Sequence, residues 1–526
     1  MAKLMLLTLI LSLSTLLSIA NTNPLPLSLF IQPCNTSPNP NTCLSILSTH
    51  LTQTTTPTTT SADLLRSIIH KSIRRASAAS EAATDVSRRI NEPRQQAALA
   101  DCSFLMDLSL DRLAAASSAV ETSVTDARTW LSAVLANHVT CMDGLDGPAR
   151  AAMEAHIESL MALASTSLAL LNAVSPSDVL NDDISKPVLR LPSWVTSADR
   201  KLLEAKAAVN GANANVVVAK DGSGKYTTVQ QAVDAAPDNI NYRYVIYVKK
   251  GVYKETVRLG KTKKNIMITG DGMDATIITG SLNFIDGTTT FESATLAAAG
   301  DGFIAQDIQI QNTAGPQKHQ AVALRLSADH SVINRCKLDA FQDTLYAHTL
   351  RQFYRDSFVT GTVDFIFGDA AVVFQNCQLV ARKPMSNQQN LVTAQGRTDP
   401  NSNTGTSIQK CQIIASADLA PVKGSIPSYL GRPWKEYSRT MVMQSYIGDH
   451  VSAAGWAPWD GTFALNTLDY EEYANNGPGA GTGGRVTWKG YKVVTSAGDA
   501  QKFTVAQLIQ GGSWLKSTGV TYTEGL

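Results

Sequence analysis

The chain is predicted to fold as two unlike bodies, an all-α four-helix bundle followed by a right-handed parallel β-helix. Three observations predict this. Between Ser61 and about Val174, apolar residues recur three and four apart. From Val216 onward that spacing stops, Val, Ile and Phe take over, and Gly, Asn and Asp turn signals become dense. In this second half a short unit also repeats: Asn334-Arg-Cys336-Lys-Leu338, Arg355-Asp-Ser357-Phe-Val359, Gln375-Asn-Cys377-Gln-Leu379, Gln409-Lys-Cys411-Gln-Ile413 and Gln444-Ser445-Tyr-Ile447. The central positions lie 21, 20, 34 and 34 residues apart, and Asp307–Ile310 reads as an earlier copy. A unit near 20 residues with insertions is what stacked strands produce. No helical pattern separates the copies, so alternating βαβ layers are not expected.

The elements follow in order. Residues 1–20 combine Lys3, an apolar run and a small-residue ending at Ala20, the pattern of a cleaved secretory signal peptide. Residues 24–174 are assigned to the bundle. Pro93 divides its first two helices, and Gly144 with Gly147-Pro148 divides the last two. Thr54 to Thr60 reads as a polar loop. Cys34 and Cys43 could staple a lead-in hairpin, and Cys102 and Cys141 could tie two helices. Asn35-Thr36-Ser37 is a glycosylation sequon. Residues 175–215, with Pro176, Pro187 and Pro192, form a linker holding the basic pair of Arg200-Lys201-Leu202-Leu203, a candidate processing site. Residues 216–526 are the β-helix.

Charge narrows the function classes. The chain of 526 residues carries a formal net charge of +1, which argues for neither nucleic-acid binding nor an acidic tail. Residues 216–526 hold 29 Lys and Arg against 26 Asp and Glu, so that half is +3 and the remainder is −2. After the signal peptide no segment is apolar enough to cross a bilayer, so no membrane partner is expected. Nothing has the spacing of a metal cluster or of a Gly-x-Ser-x-Gly elbow, and no cofactor is expected.

The repeat gives two acids an address. Asp343 and Asp364 differ by 21 residues and Gln320 precedes Asp343 by 23, each close to one coil, so these side chains are expected to stack on neighbouring rungs beside Gln342. Adjacent carboxylates do not both ionise easily. A nearby cation would hold one charged and leave the other protonated, an arrangement for acid–base or nucleophilic chemistry. Asp364 lies in the apolar run Val363-Asp364-Phe365-Ile366-Phe367, where strand alternation is expected to turn it outward.

Gly251-Val-Tyr253-Lys-Glu255, Gln320-Ala-Val-Ala-Leu324, Gln342-Asp343-Thr-Leu345, Asp364-Phe-Ile-Phe-Gly368 and Leu430-Gly-Arg432-Pro-Trp434 resemble, in this order, the motif set of plant pectin methylesterases. The resemblance runs from Val216 to the C-terminus. The earlier half resembles the pectin methylesterase inhibitor domain that precedes many plant members, and Arg200–Leu203 resembles that family's processing motif, cut by a subtilisin-like protease.

The resemblance implies a secreted, monomeric cell-wall enzyme that removes methyl groups from the galacturonate esters of pectin. It implies Asp364 as nucleophile, Asp343 as general acid then base, Gln342 and Gln320 at the oxyanion, and Arg432 holding Asp364 ionised by lowering its pKa. Thr290, Trp434, Tyr346 and Phe367 become substrate contacts. Separate inhibitor proteins become candidate partners. The family often places a cysteine where this chain has Ser357, paired with the residue matching Cys377. Cys336 and Cys377 lie two rungs apart, about 9.6 Å, beyond disulfide reach, so Cys336, Cys377 and Cys411 are expected as free thiols. Paired aspartates would also suit another pectin-active β-helix enzyme, a polygalacturonase or pectate lyase. A non-enzymatic inhibitor or binding protein is the third reading.

Overall fold

The structure, a computed structural model, describes residues 32–54, 60–174 and 213–526. The signal peptide and the Arg200–Leu203 tetrad lie outside the described residues, as do residues 55–59 of the polar loop.

Among the described residues, five helices make up the first body: α1 (Pro40–Thr54), α2 (Ser61–Ser87), α3 (Pro93–Ala119), α4 (Val124–Gly144) and α5 (Gly147–Val174). The last four are the expected bundle, and each starts where local chemistry says it should. Thr60 and Asp63 form a reciprocal capping box on α2. Glu92 accepts from the Arg94 and Gln95 N–H groups ahead of α3, with Pro93 in its first turn. Ser123 caps α4. Leu65, Leu105, Leu131 and Leu160, fully buried, sit in one core.

The lead-in differs from expectation. It is a helix, not a hairpin, because Asn39 accepts from the Thr42 N–H and Pro40 pre-sets the first turn. The Cys34–Cys43 disulfide ties this helix to the turn before it, and Cys102–Cys141 joins α3 to α4.

From Val216 the chain winds as a parallel β-helix. Each coil contributes to three all-parallel sheets, of eleven, seven and eight strands. The repeat is the register itself: Gln306, Asn334, Arg355, Gln375, Gln409 and Met443 are successive partners in the eleven-stranded sheet. Just after them runs a ladder inside the turns. The Cys336 N–H donates to Ser357 Oγ (3.1 Å), Cys377 N–H to Cys411 Sγ (3.4 Å) and Cys411 N–H to Ser445 Oγ (3.0 Å). Small side chains recur at this position because each accepts from the preceding coil's amide inside the core. Cys336, Cys377 and Cys411 are buried free thiols, with Cys377 and Cys411 on adjacent rungs.

The seven-stranded sheet carries the motifs. Its strands Leu345–Ala347 and Ile366–Gly368 are neighbours, flanked by Leu324–Leu326 and Asn390–Gln395. Gly368 closes the second at φ +124°, where an added Cβ would lie 2.1 Å from the Ala347 carbonyl. Both the backbone angle and the contact demand glycine. Gly368→Ala is therefore expected to destabilise the fold by about 2–4 kcal/mol through combined strain and overpacking, read as a lower midpoint in guanidinium unfolding.

Candidate functional site

Asp343 and Asp364 hold the same position on successive coils. Leu345 pairs with Ile366 and Tyr346 with Phe367, and the Asp343 N–H donates to the Val363 carbonyl at 3.0 Å. Both acids have left-handed backbones, φ +64° and +51°, in the turn that leads into the sheet. This corrects the alternation argument. Phe365 and Ile366 are consecutive, yet both point into the β-helix core. The positive φ at Asp364, tolerated by Asp and Asn, breaks the strand period and turns the carboxylate out.

Gln320 does not stack with them. Extending the Leu324–Leu345 register pairs Val322 with Asp343, so Gln320 sits two residues ahead, its carbonyl accepting the Phe284 N–H. Spacing of 23 had suggested one coil, but this coil is shorter by two. Gln342 immediately precedes Asp343, and its Oε1 is buried without a hydrogen-bond partner.

Arg432 arrives from the turn after Ser428–Gly431 and forks onto one acid only. Its Nε and Nη2 donate to the two oxygens of Asp364 at 2.9 and 2.6 Å. The guanidinium also lies 4.2 Å from the ring centre of Trp459, a contact the sequence reading missed because a loop outside the repeat delivers it. The two acids are only 7% and 6% exposed. Burial lifts Asp343 well above the usual carboxylate range, the Asp364 charge lifts it further, and Arg432 pulls the other way. Burial raises Asp364 too, against the hydrogen bonds and attraction of Arg432. The expected net lowering of Asp364 is thus corrected: Arg432 lowers it, and desolvation outweighs Arg432. The two acids are still unlike, since the bidentate partner belongs to Asp364 alone.

Aromatic rings line the outer face of the same sheet. Tyr346 stacks on Phe367 with centroids 4.2 Å apart, while Phe291 and Trp434 continue the stripe at 6.4 Å from Tyr346 and 5.9 Å from Phe367. The helical bundle packs on this stripe. Phe104 of α3 meets Phe291 at 6.2 Å, and Thr140 of α4 lies within hydrogen-bond reach of Tyr346 Oη and His348 Nε2. Thr289, beside the predicted contact Thr290, donates to buried Asp101 of α3. Among the described residues, five ion pairs rim the contact: Arg112–Asp301, Lys261–Asp107 (2.7 Å), Lys261–Asp111 (3.1 Å), Arg351–Asp126 (2.6 Å) and Lys435–Asp143 (2.6 Å).

His348 and His330 are engaged elsewhere, while His319 lines a cavity with Gln342 and Arg432. His348 bonds Ser327 and Thr140, and burial holds it neutral; His330 stacks on Trp514. Asn35, the sequon residue, is exposed. Asp343 is expected to hold its proton at neutral pH. A component of the protonated-carboxyl infrared band that persists above the ordinary Asp range and is lost in Asp343→Asn checks this; identical bands in the native chain and the variant contradict the assignment.

Comparison with known proteins places both halves. A pectinesterase family model matches residues 215–512, and a plant invertase/pectin methylesterase inhibitor model matches residues 30–170. The chain is 56% identical to pectinesterase 2.1 of Solanum lycopersicum over 500 residues, covering 94% of this chain and 90% of that protein. It is also 56% identical to pectinesterase/pectinesterase inhibitor 18 of Arabidopsis thaliana, covering 88% and 85%. Among solved structures, pectin methylesterase from carrot matches with TM-score 0.59 and 61% identity, covering 60% of this chain and 99% of that one.

Proposed function

The chain belongs to the pectinesterase family, and from that premise we propose that it hydrolyses the methyl esters of pectin in the plant cell wall through an aspartyl acyl-enzyme. The observation that carries this is the asymmetric pair: two buried carboxyls in register, with the guanidinium fork on one.

Asp364 attacks the ester carbonyl carbon. Gln342 and Gln320, on successive coils at the same edge, stabilise the oxyanion as it forms. Collapse breaks the bond to the methoxy oxygen, which takes the Asp343 proton and leaves as methanol. An anhydride now joins Asp364 to the galacturonyl carbon. Asp343, now a carboxylate, draws a proton from water, and the hydroxide attacks that carbon. The free acid departs, Asp364 is again a carboxylate and Asp343 is again protonated. Thr290, Tyr346, Phe367 and Trp434 hold the sugar rings.

The same reading assigns a leader removed near Ala20, export to the wall, and a bundle that restrains the enzyme until a subtilisin-like protease cuts after Leu203. Free inhibitor proteins of the bundle's fold are the matching external partners. The apolar contact between bundle and aromatic stripe supports the restraint.

Methanol release from esterified pectin, without new reducing or unsaturated ends, distinguishes this reaction from polygalacturonase and lyase chemistry. Asp364→Asn and Asp343→Asn are each expected to lower turnover by about a thousandfold or more with unfolding midpoints unchanged, since Asn keeps the left-handed backbone. Retained turnover in Asp364→Asn would overturn the mechanism. Arg432→Ala removes the cation that favours ionised Asp364, so that acid's pKa rises. The acid limb of kcat/KM is therefore expected to move to higher pH in this variant, alongside a loss of rate. An unmoved limb contradicts the role.

A further inference from the structure

We propose that the bundle restrains the enzyme by masking the aromatic side of the groove alone, leaving the catalytic acids reachable by small molecules; this rests on the esterase reading above. The full-length chain is then selective for substrate size rather than closed.

The evidence is a cavity beside the acids, lined not by Asp343 and Asp364 themselves but by their chain neighbours Gln342 and Val363 and by Arg432. Its volume is about 800 Å³, and Lys383, Leu391 and His319 line it too. Every lining residue comes from the β-helix; among the described residues no part of the bundle contributes. The cavity lies at the leading edge of the seven-stranded sheet, since Gln342 and Val363 precede the strands Leu345–Ala347 and Ile366–Gly368. On the coils of the two acids the bundle touches the other side, while on the preceding coils it also meets Phe284, Thr289, Phe291 and Val322, which come ahead of their strands. Tyr346, Phe367 and Ala394 lie within strands and share its apolar core, while His348, Asp399, Asn401 and Asn403, bonded to Thr140, Ser165, Asn172 and Thr129, follow the strands. Asp343 and Asp364 sit between the two regions, in the turns on the cavity side.

Size decides access. A polymer needs several sugar rings on the stripe at once, and α3 and α4 occupy that surface. A molecule of a few atoms needs only the cavity. Its charged lining groups are Lys383 and Arg432, with no acid among them, so a carboxylate-bearing or polar neutral molecule meets no repulsion there.

The test compares two full-length chains, both with Arg200→Ala and Lys201→Ala to keep the bundle attached. One also carries R112E, D126K and D143K, which reverse three ion pairs of the interface, and small-angle scattering reports its expansion. Two readouts follow. The first is methanol from long esterified pectin. The second is labelling by a water-soluble carbodiimide with glycinamide. The reagent adds to a protonated carboxyl as an O-acylisourea, the amine displaces the urea, and mass spectrometry finds the amide at Asp343 or Asp364.

Expected is a rise in pectin turnover of about tenfold or more on loosening, with labelling rates equal within about twofold. Labelling that rises in parallel with turnover overturns the proposal, because the bundle then closes the site outright. Turnover that does not rise in the expanded chain overturns it as well, because the stripe is then not needed. Failure of the esterase reading looks different: methanol release surviving Asp364→Asn in the loosened chain, whatever the labelling shows.

Discussion

The fork of Arg432 on Asp364 is the constraint on which the site depends. Parallel coils bring equivalent positions within about 4.8 Å. Two charges at that separation repel by about 3 kcal/mol at an effective dielectric constant near 20, and burial adds the desolvation of each. A coil fold that places acids in register must therefore protonate one or supply a cation. Here it does both. Arg432 uses two donors on Asp364, and Asp343 keeps its proton. The state that relieves the repulsion is also the one acyl transfer needs, a charged nucleophile beside a loaded acid. Trp459 against the guanidinium keeps that cation from turning toward water.

Much of the architecture was legible in the sequence because it is periodic. The intervals from Cys336 to Ser445 returned the coil lengths without error, and the Pro and Gly breaks returned four helices. What failed was local. The 23-residue spacing of Gln320 mimicked a coil, but an interval counts loop residues along with strand residues and carries no register. The alternation argument at Asp364 assumed a strand where the chain makes a left-handed turn, a conformation the residue type permits but does not announce. Helix α1 was announced, by Asn39-Pro40, and was passed over because two nearby cysteines suggested a hairpin.

The site was legible to the extent that its residues fall within the repeat. Asp343, Asp364 and Gln342 share one, and Arg432 follows a strand in the same sheet. Trp459, Asp101 and Thr140 were invisible for the opposite reason. They reach the site from a loop and from another body, and their positions depend on packing between surfaces that no spacing encodes.

Charge and stacking together explain why a helical bundle fits this groove. Asp107 and Asp143 occupy Lys261 and Lys435, cations that would otherwise attract a de-esterified, polyanionic substrate, while Asp126 joins Arg351, already forked onto buried Asp329. Phe104 lies on Phe291, in the stripe where sugar rings would stack. Partly exposed ion pairs contribute about 0–1 kcal/mol each, so the rim gives orientation and salt sensitivity rather than strength. The apolar contact supplies the adhesion: Tyr346 and Phe367, 3% and 6% exposed, share one buried cluster with the bundle's core. A bundle of net charge −3 (10 Lys and Arg against 13 Asp and Glu in residues 24–174) on a +3 body, with apolar surface at the centre and acids at the edge, thus presents the groove with the features of its proposed polymer but offers no ester to cleave.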